Sequence, residues 1–167
     1  VDTSSITKDC TFTVDPYSYE ITVDGVDEET KMRMQNALNV GDNGKNLYKH
    51  IYYCSTQDGC ESTQITKESK MKYEAYHQVY SYTGYELDKL EEKNGTYYTE
   101  SGEDILDLVN HAVEDTGKVP KEYKQQMKNW IHDLVSTMSV KGWNNVSDMT
   151  LSILYGKSGL KDMNQLI

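Results

Sequence analysis

The sequence is poor in the residues that usually punctuate and staple a chain. Its 167 residues include two prolines, Pro16 and Pro120, one phenylalanine, one arginine (Arg33) and three cysteines. So few cysteines exclude a disulfide-dense scaffold, and a chain of this length can build a core without one. Positive charge is also scarce: 17 Lys and Arg stand against 27 Asp and Glu, a formal net charge of −10. That balance argues against binding nucleic acid without sequence preference, which needs a basic face. No apolar run approaches the roughly 18 residues that a membrane-spanning helix requires, and no signal-peptide pattern is read at the N-terminus. The familiar catalytic motifs are missing too. Gly156-Lys157-Ser158 lacks the upstream glycine of a phosphate loop, there is no G-x-S-x-G or H-E-x-x-H, and Asp42-Asn43-Gly44 lacks the alternating ligands of a calcium loop.

What is abundant is tyrosine, with 14 residues to the single phenylalanine, and lysine, sixteen to one over arginine. An AT-rich genome would give both by codon bias, so neither needs a functional cause. Tyrosine still has a physical consequence, because it joins a large apolar ring to a hydroxyl that stays wet, which suits half-buried surfaces and binding faces.

The first two thirds read as strands. Residues 10–15 and 18–24 alternate with period two, with Phe12, Val14, Tyr19, Ile21 and Val23 on the apolar sides and Asp15-Pro16 as the turn between them. Asp27 is placed to cap a helix over 28–39. Residues 47–54 are aromatic and β-branched enough for a short strand. Residues 71–87 fit either period, and their Ser, Thr, Tyr and Gly content favours a strand in the second half. Asn94-Gly95 marks a hairpin between 87–92 and 96–100.

From residue 101 the period becomes helical. Ser101 and Asp104 resemble a capping box for a helix over 102–115, striped by Ile105, Leu108, Val109, Ala112 and Val113. A second helix runs from Pro120 to about 139, with Tyr123, Met127, Trp130, Ile131, Leu134 and Met138 in its stripe. This register predicts Trp130 buried against Leu108 and Val109, and Trp143 partly exposed in a loop. A third helix is expected over 148–155 and a short turn over 159–166. The order of elements gives an α+β fold, N-terminal strands and hairpins followed by about three helices. A single domain over 1–167 is expected, with 1–100 and 101–167 as the natural subdivision.

Candidate sites follow from these placements. Asp58-Gly59 lets the chain reverse between Cys54 and Cys60, so a small disulfide loop is expected. Asn94-Gly-Thr96 and Asn145-Val-Ser147 are glycosylation acceptor triplets. The thiol loop and the polar, tyrosine-rich surface favour an extracellular or extracytoplasmic location. No second cysteine pair or histidine stands at zinc-site spacing from these thiols, so neither metal nor cofactor is expected. Tyr73, Tyr76, Tyr80, Tyr82 and Tyr85 form the densest aromatic stretch and are the candidate binding face for a protein or glycan ligand. His111 and Glu114 share a helix face, and His132 on the next helix would approach them if the two pack antiparallel, giving a weaker candidate acid–base cluster. The leading expectation is therefore a secreted or surface-attached interaction module. A small secreted hydrolase or toxin using His111, Glu114 and His132 is the alternative, and a cytosolic acidic antagonist of a basic partner is the third reading.

Overall fold

A computed structural model describes residues 9–55, 64–156 and 159–162. The chain forms two compact units, one built from 1–66 and 149–167, the other from 67–148. The second unit is thus an insertion within the first, and neither boundary falls at 100/101. The α+β class holds, with antiparallel sheets in each unit.

The first unit is a four-stranded sheet with two helices. Strands β1 (Cys10–Val14) and β2 (Ile21–Asp24) make the expected hairpin, pairing Phe12 with Val23 and Val14 with Ile21. Asp15 shapes the reversal: its Oδ1 accepts hydrogen bonds from the backbone N–H of Tyr17 and Ser18, at 2.8 and 2.7 Å. Helix α1 (Glu28–Leu38) starts where Asp27 accepts from Thr30 N–H, which together with the Thr30 hydroxyl holds the Asp27 carboxyl below its ordinary pKa. α1 also covers the outer edge of β2. Asn39 accepts from Ile21 N–H and donates to Ile21 C=O, both at 2.8 Å, and Gln35 accepts from Val23 N–H. Side-chain amides thereby stand in for a neighbouring strand on an edge that would otherwise template association.

Three expectations fail in this unit. Residues 47–54 belong to helix α2 (Asn43–Ser55), and residues 148–155 form no helix but strand β5 (Leu151–Gly156). β5 pairs antiparallel with β1 and with β6 (Gly159–Asp162), so the order is β2-β1-β5-β6 and the expected turn over 159–166 begins as a strand. Leu151, Ile153 and Tyr155 alternate along β5, and Tyr155 packs against Phe12 with ring centroids 6.1 Å apart. Cys10, Val23 and Met34 are buried in one cluster, with Phe12, Val26, Leu38 and Tyr155 packed on it. Tyr48 is fully buried in α2 and donates its hydroxyl to Met149 C=O at 2.6 Å.

The second unit packs three helices with a small hairpin. Helix α3 (Lys67–Thr83) replaces the strand expected over 79–85. Strands β3 (Glu91–Lys93) and β4 (Thr96–Tyr98) form the hairpin at Asn94-Gly95, whose φ values of 54° and 83° are those of the tight primed turn. Helix α4 (Ile105–Asp115) is capped by Asp104, which accepts from Leu106 N–H and the Thr96 hydroxyl; Ser101 is not the cap. Helix α5 (Lys124–Lys141) buries Ile131, Leu134, Val135 and Met138. Ile131, Leu134 and Met138 of the expected stripe are buried, but the buried face is turned toward Val135 and Ser139 and away from Tyr123 and Trp130. Trp130 is exposed at 37%, Tyr123 is exposed, and Trp143 is the more shielded of the two tryptophans. No helix among the described residues is long and apolar enough to cross a membrane.

Candidate functional site

The five candidate tyrosines do not form one exposed strip, because the segment is a helix and not a strand. Residues 73, 76, 77 and 80 lie along one side of α3, whereas Tyr82 is rotated some 200° from Tyr80 at about 100° per residue. Tyr73 and Tyr76 are buried, Tyr82 is half-buried, and Tyr80 and Tyr85 are exposed at 52% and 38%. Gly84, at φ 75°, turns the chain out of the helix just before Tyr85.

The rings form a graded stack that emerges from the core. Tyr73 meets His77 with centroids 4.4 Å apart, His77 meets Tyr76 edge-on at 5.2 Å, and Tyr76 lies parallel to Tyr80 at 6.3 Å with an interplanar angle of 7°. Trp143, half-buried, also packs on Tyr76, with ring centroids 6.4 Å apart. Tyr76 is further fixed by its hydroxyl, which donates to Glu86 at 3.2 Å. Burial, reinforced by the Glu86 charge, raises the Tyr76 phenol well above its usual range. Glu86 in turn pairs with Lys89, whose hydrogen bond pulls the carboxyl below its ordinary value.

A buried lysine fastens the base of this stack. Lys72 is 3% exposed, yet its Nζ donates to Val146 C=O and pairs with Asp148, both at 2.8 Å. The same ammonium sits 4.7 Å from the Trp143 ring centroid, within cation–π range. The segment after α5 is therefore tied back to α3 by charge, hydrogen bond and ring face together.

The alternative acid–base cluster is not assembled. The pairs His132–Asn110, at 3.0 Å, and Lys128–Glu114 show α4 and α5 running antiparallel, as the cluster required. But Glu114 is engaged by Lys128 and Lys124, and the Lys128 hydrogen bond lowers its pKa. The Nε2 of His132 faces the Asn110 amide, and His111 is exposed. Among the described residues no three His, Cys, Asp or Glu side chains gather to hold a metal.

The remaining expectations fall on two thiols and two asparagines. Cys10 is buried and Cys54 exposed, both as free thiols; Cys60 lies outside the described residues. Asn94 is exposed at the β3–β4 turn, and Asn145 is exposed but donates its amide to Lys141 C=O at 2.9 Å. The helical form of 43–55 also creates a pairing that the strand reading concealed. His50 Nε2 lies 3.8 Å from Cys54 Sγ, one turn away on α2. In a strand the same four-residue spacing would separate them by about 13 Å.

Comparison with known proteins places the chain in a family without assigning it an activity. The chain belongs to a domain family of unknown function, DUF4885, whose family model matches residues 4–166. It is 32% identical over 156 residues to the uncharacterized protein YbdO of Bacillus subtilis (strain 168). That alignment covers 93% of this chain and 39% of the relative, so the chain spans well under half of the relative's length. No solved structure matches it.

Proposed function

We propose that this chain is an interaction module that docks a protein or glycan ligand on the outer end of the α3 aromatic stack. The observation that carries the reading is Tyr80, half exposed and stacked parallel on a buried Tyr76 that is itself hydrogen-bonded to Glu86. A ring held in place before binding loses little side-chain entropy on contact, and aromatic anchors of this kind dominate binding energy. Tyr85 adds a second exposed ring just beyond Gly84, and Glu86, Asp88 and Lys89 supply a charged margin. Such a margin tunes encounter rate and selectivity more than affinity. The chain's net charge of −10 favours a ligand with basic or neutral polar character. Placement outside the cytoplasm is supported by the spacing of Cys54 and Cys60 and by the polar, tyrosine-rich composition.

The test screens the native chain against a glycan array and a displayed-peptide library. The double variant Tyr80→Ser/Tyr85→Ser is then measured on every ligand found. Binding should fall at least tenfold while stability stays within about 1 kcal/mol, as for most surface substitutions. Unfolding of the variant would make these rings part of the core, and unchanged binding would move the site elsewhere. Either result ends the proposal, as does a native chain that retains nothing from both collections.

A further inference from the structure

The paired donors on α2 suggest a second site, independent of the aromatic stack. We infer that His50 and Cys54 form a chelating pair for a borderline-soft divalent cation of the zinc class. The two side chains stand four residues apart on one helix, the spacing that puts donors on a common face. Their donor atoms, Nε2 and Sγ, face each other across 3.8 Å, and both residues are exposed.

That separation can be compared with what a cation demands. Zinc–sulfur and zinc–nitrogen bonds of about 2.3 and 2.05 Å, meeting at a tetrahedral angle, place the two donors about 3.5 Å apart. The observed 3.8 Å corresponds to an angle of about 120° with the same bond lengths, so a cation fits between them after a rotation of a few tenths of an ångström. Imidazole and thiolate are also the donor types that favour zinc over magnesium or calcium. The location adds to this. Cys54 lies in the last turn of α2, where the carbonyl ends carry partial negative charge, and that turn holds no basic residue. The helix's only charged side chains, Lys45 and Lys49, lie off the face shared by His50 and Cys54. With two protein donors the remaining positions of a tetrahedral cation are filled by water or by groups of a ligand.

Binding replaces the thiol proton with the metal ion and releases it to solvent. A Cys54–Cys60 disulfide would use the same sulfur, so the bridge and the metal exclude one another. The experiment uses the reduced full chain, with cobalt(II) as the spectroscopic probe and zinc as competitor. The expected result is a near-ultraviolet thiolate-to-cobalt band that zinc displaces. Cys54→Ser should abolish it, His50→Ala should weaken cobalt binding by an order of magnitude or more, and Cys60→Ser should leave it unchanged. Zinc should also slow alkylation of Cys54 in the native chain and not in His50→Ala. Both positions are exposed, so circular dichroism should show each variant folded. The inference is overturned if no band develops at millimolar cobalt, if the band survives Cys54→Ser, if it depends on Cys60, or if His50→Ala binds as the native chain does.

Discussion

At the scale of single residues, the decisive contrast is between neighbours on α5. Trp130 and Ile131 are adjacent, but the helix turns Ile131 fully into the core and leaves Trp130 37% exposed. The larger residue is therefore not the more costly one to remove. Ile131→Ala leaves a cavity under the buried face of α5 and should cost about 2–5 kcal/mol. Trp130→Ala should cost clearly less, since part of its ring is already in water. Chemical denaturation of the two variants checks this, and a larger loss for Trp130→Ala would restore the register that the sequence stripe suggests. That stripe misleads for a definable reason. Tyr123, Met127 and Trp130 continue the apolar row of Ile131, Leu134 and Met138, but large amphipathic rings tolerate a boundary position, so hydrophobicity alone does not mark where the row leaves the core. The His50–Cys54 pair was hidden by a different route: its residue types and spacing are plain in the sequence, but only a helical backbone brings the donors together.

At the scale of elements, helix α2 shows how one backbone contact can outweigh intrinsic propensity. Gly44 lies in the first turn of α2 and is buried there. A Cβ at that position would meet the Tyr19 carbonyl oxygen at 2.0 Å, far inside contact distance, and that oxygen is backbone in the β1–β2 turn. Alanine is normally the better helix residue by about 1 kcal/mol. Here Gly44→Ala should instead destabilise by about 1–3 kcal/mol or more, because the helix or the turn must move. Thermal unfolding of the single variant decides it, and a neutral or stabilising result would show that the two segments are not in this close contact. The hairpins, α1, α4 and most of α5 were legible because each carries a local signal: alternation, a turn dipeptide, a capping aspartate or a four-residue stripe. The misread elements share a physical cause. In α2, Leu47, Tyr48, Ile51 and Tyr52 already follow helical spacing, and in α3 so do Ser69, Lys72, Tyr73, Tyr76 and Val79. Tyrosine-rich composition suggested strand in both, and packing prevailed over that preference. For β5 the error ran the other way. Ser147 and Gly156 imitate helix ends around a segment that is in fact a strand between β1, far away in sequence, and β6.

At the scale of the whole chain, the arrangement of the units predicts which pieces fold alone. The unit over 67–148 is continuous in sequence. It buries its own set of side chains, including Val79, Leu87, Tyr97, Val109, Val113, Ile131 and Met138, and Lys72 closes it through Val146 and Asp148. The other unit is discontinuous. Its β1 is flanked by β2 on one side and β5 on the other, and β5 is supplied only after residue 148. A fragment spanning 67–148 should therefore show helical circular dichroism and a cooperative thermal transition. A fragment ending at residue 66 should not, since it leaves one side of β1 unpaired and removes the Met149 carbonyl that accepts from Tyr48. The comparison also separates the two candidate sites, because the stack that presents Tyr80 belongs wholly to the inserted unit and His50 and Cys54 belong to the other. If the 67–148 fragment folds, the ligands found for the full chain should bind it with similar affinity while cobalt should not give the thiolate band. A disordered 67–148 fragment would mean that the inserted unit depends on the rest of the chain, and the division drawn from its internal packing would fail.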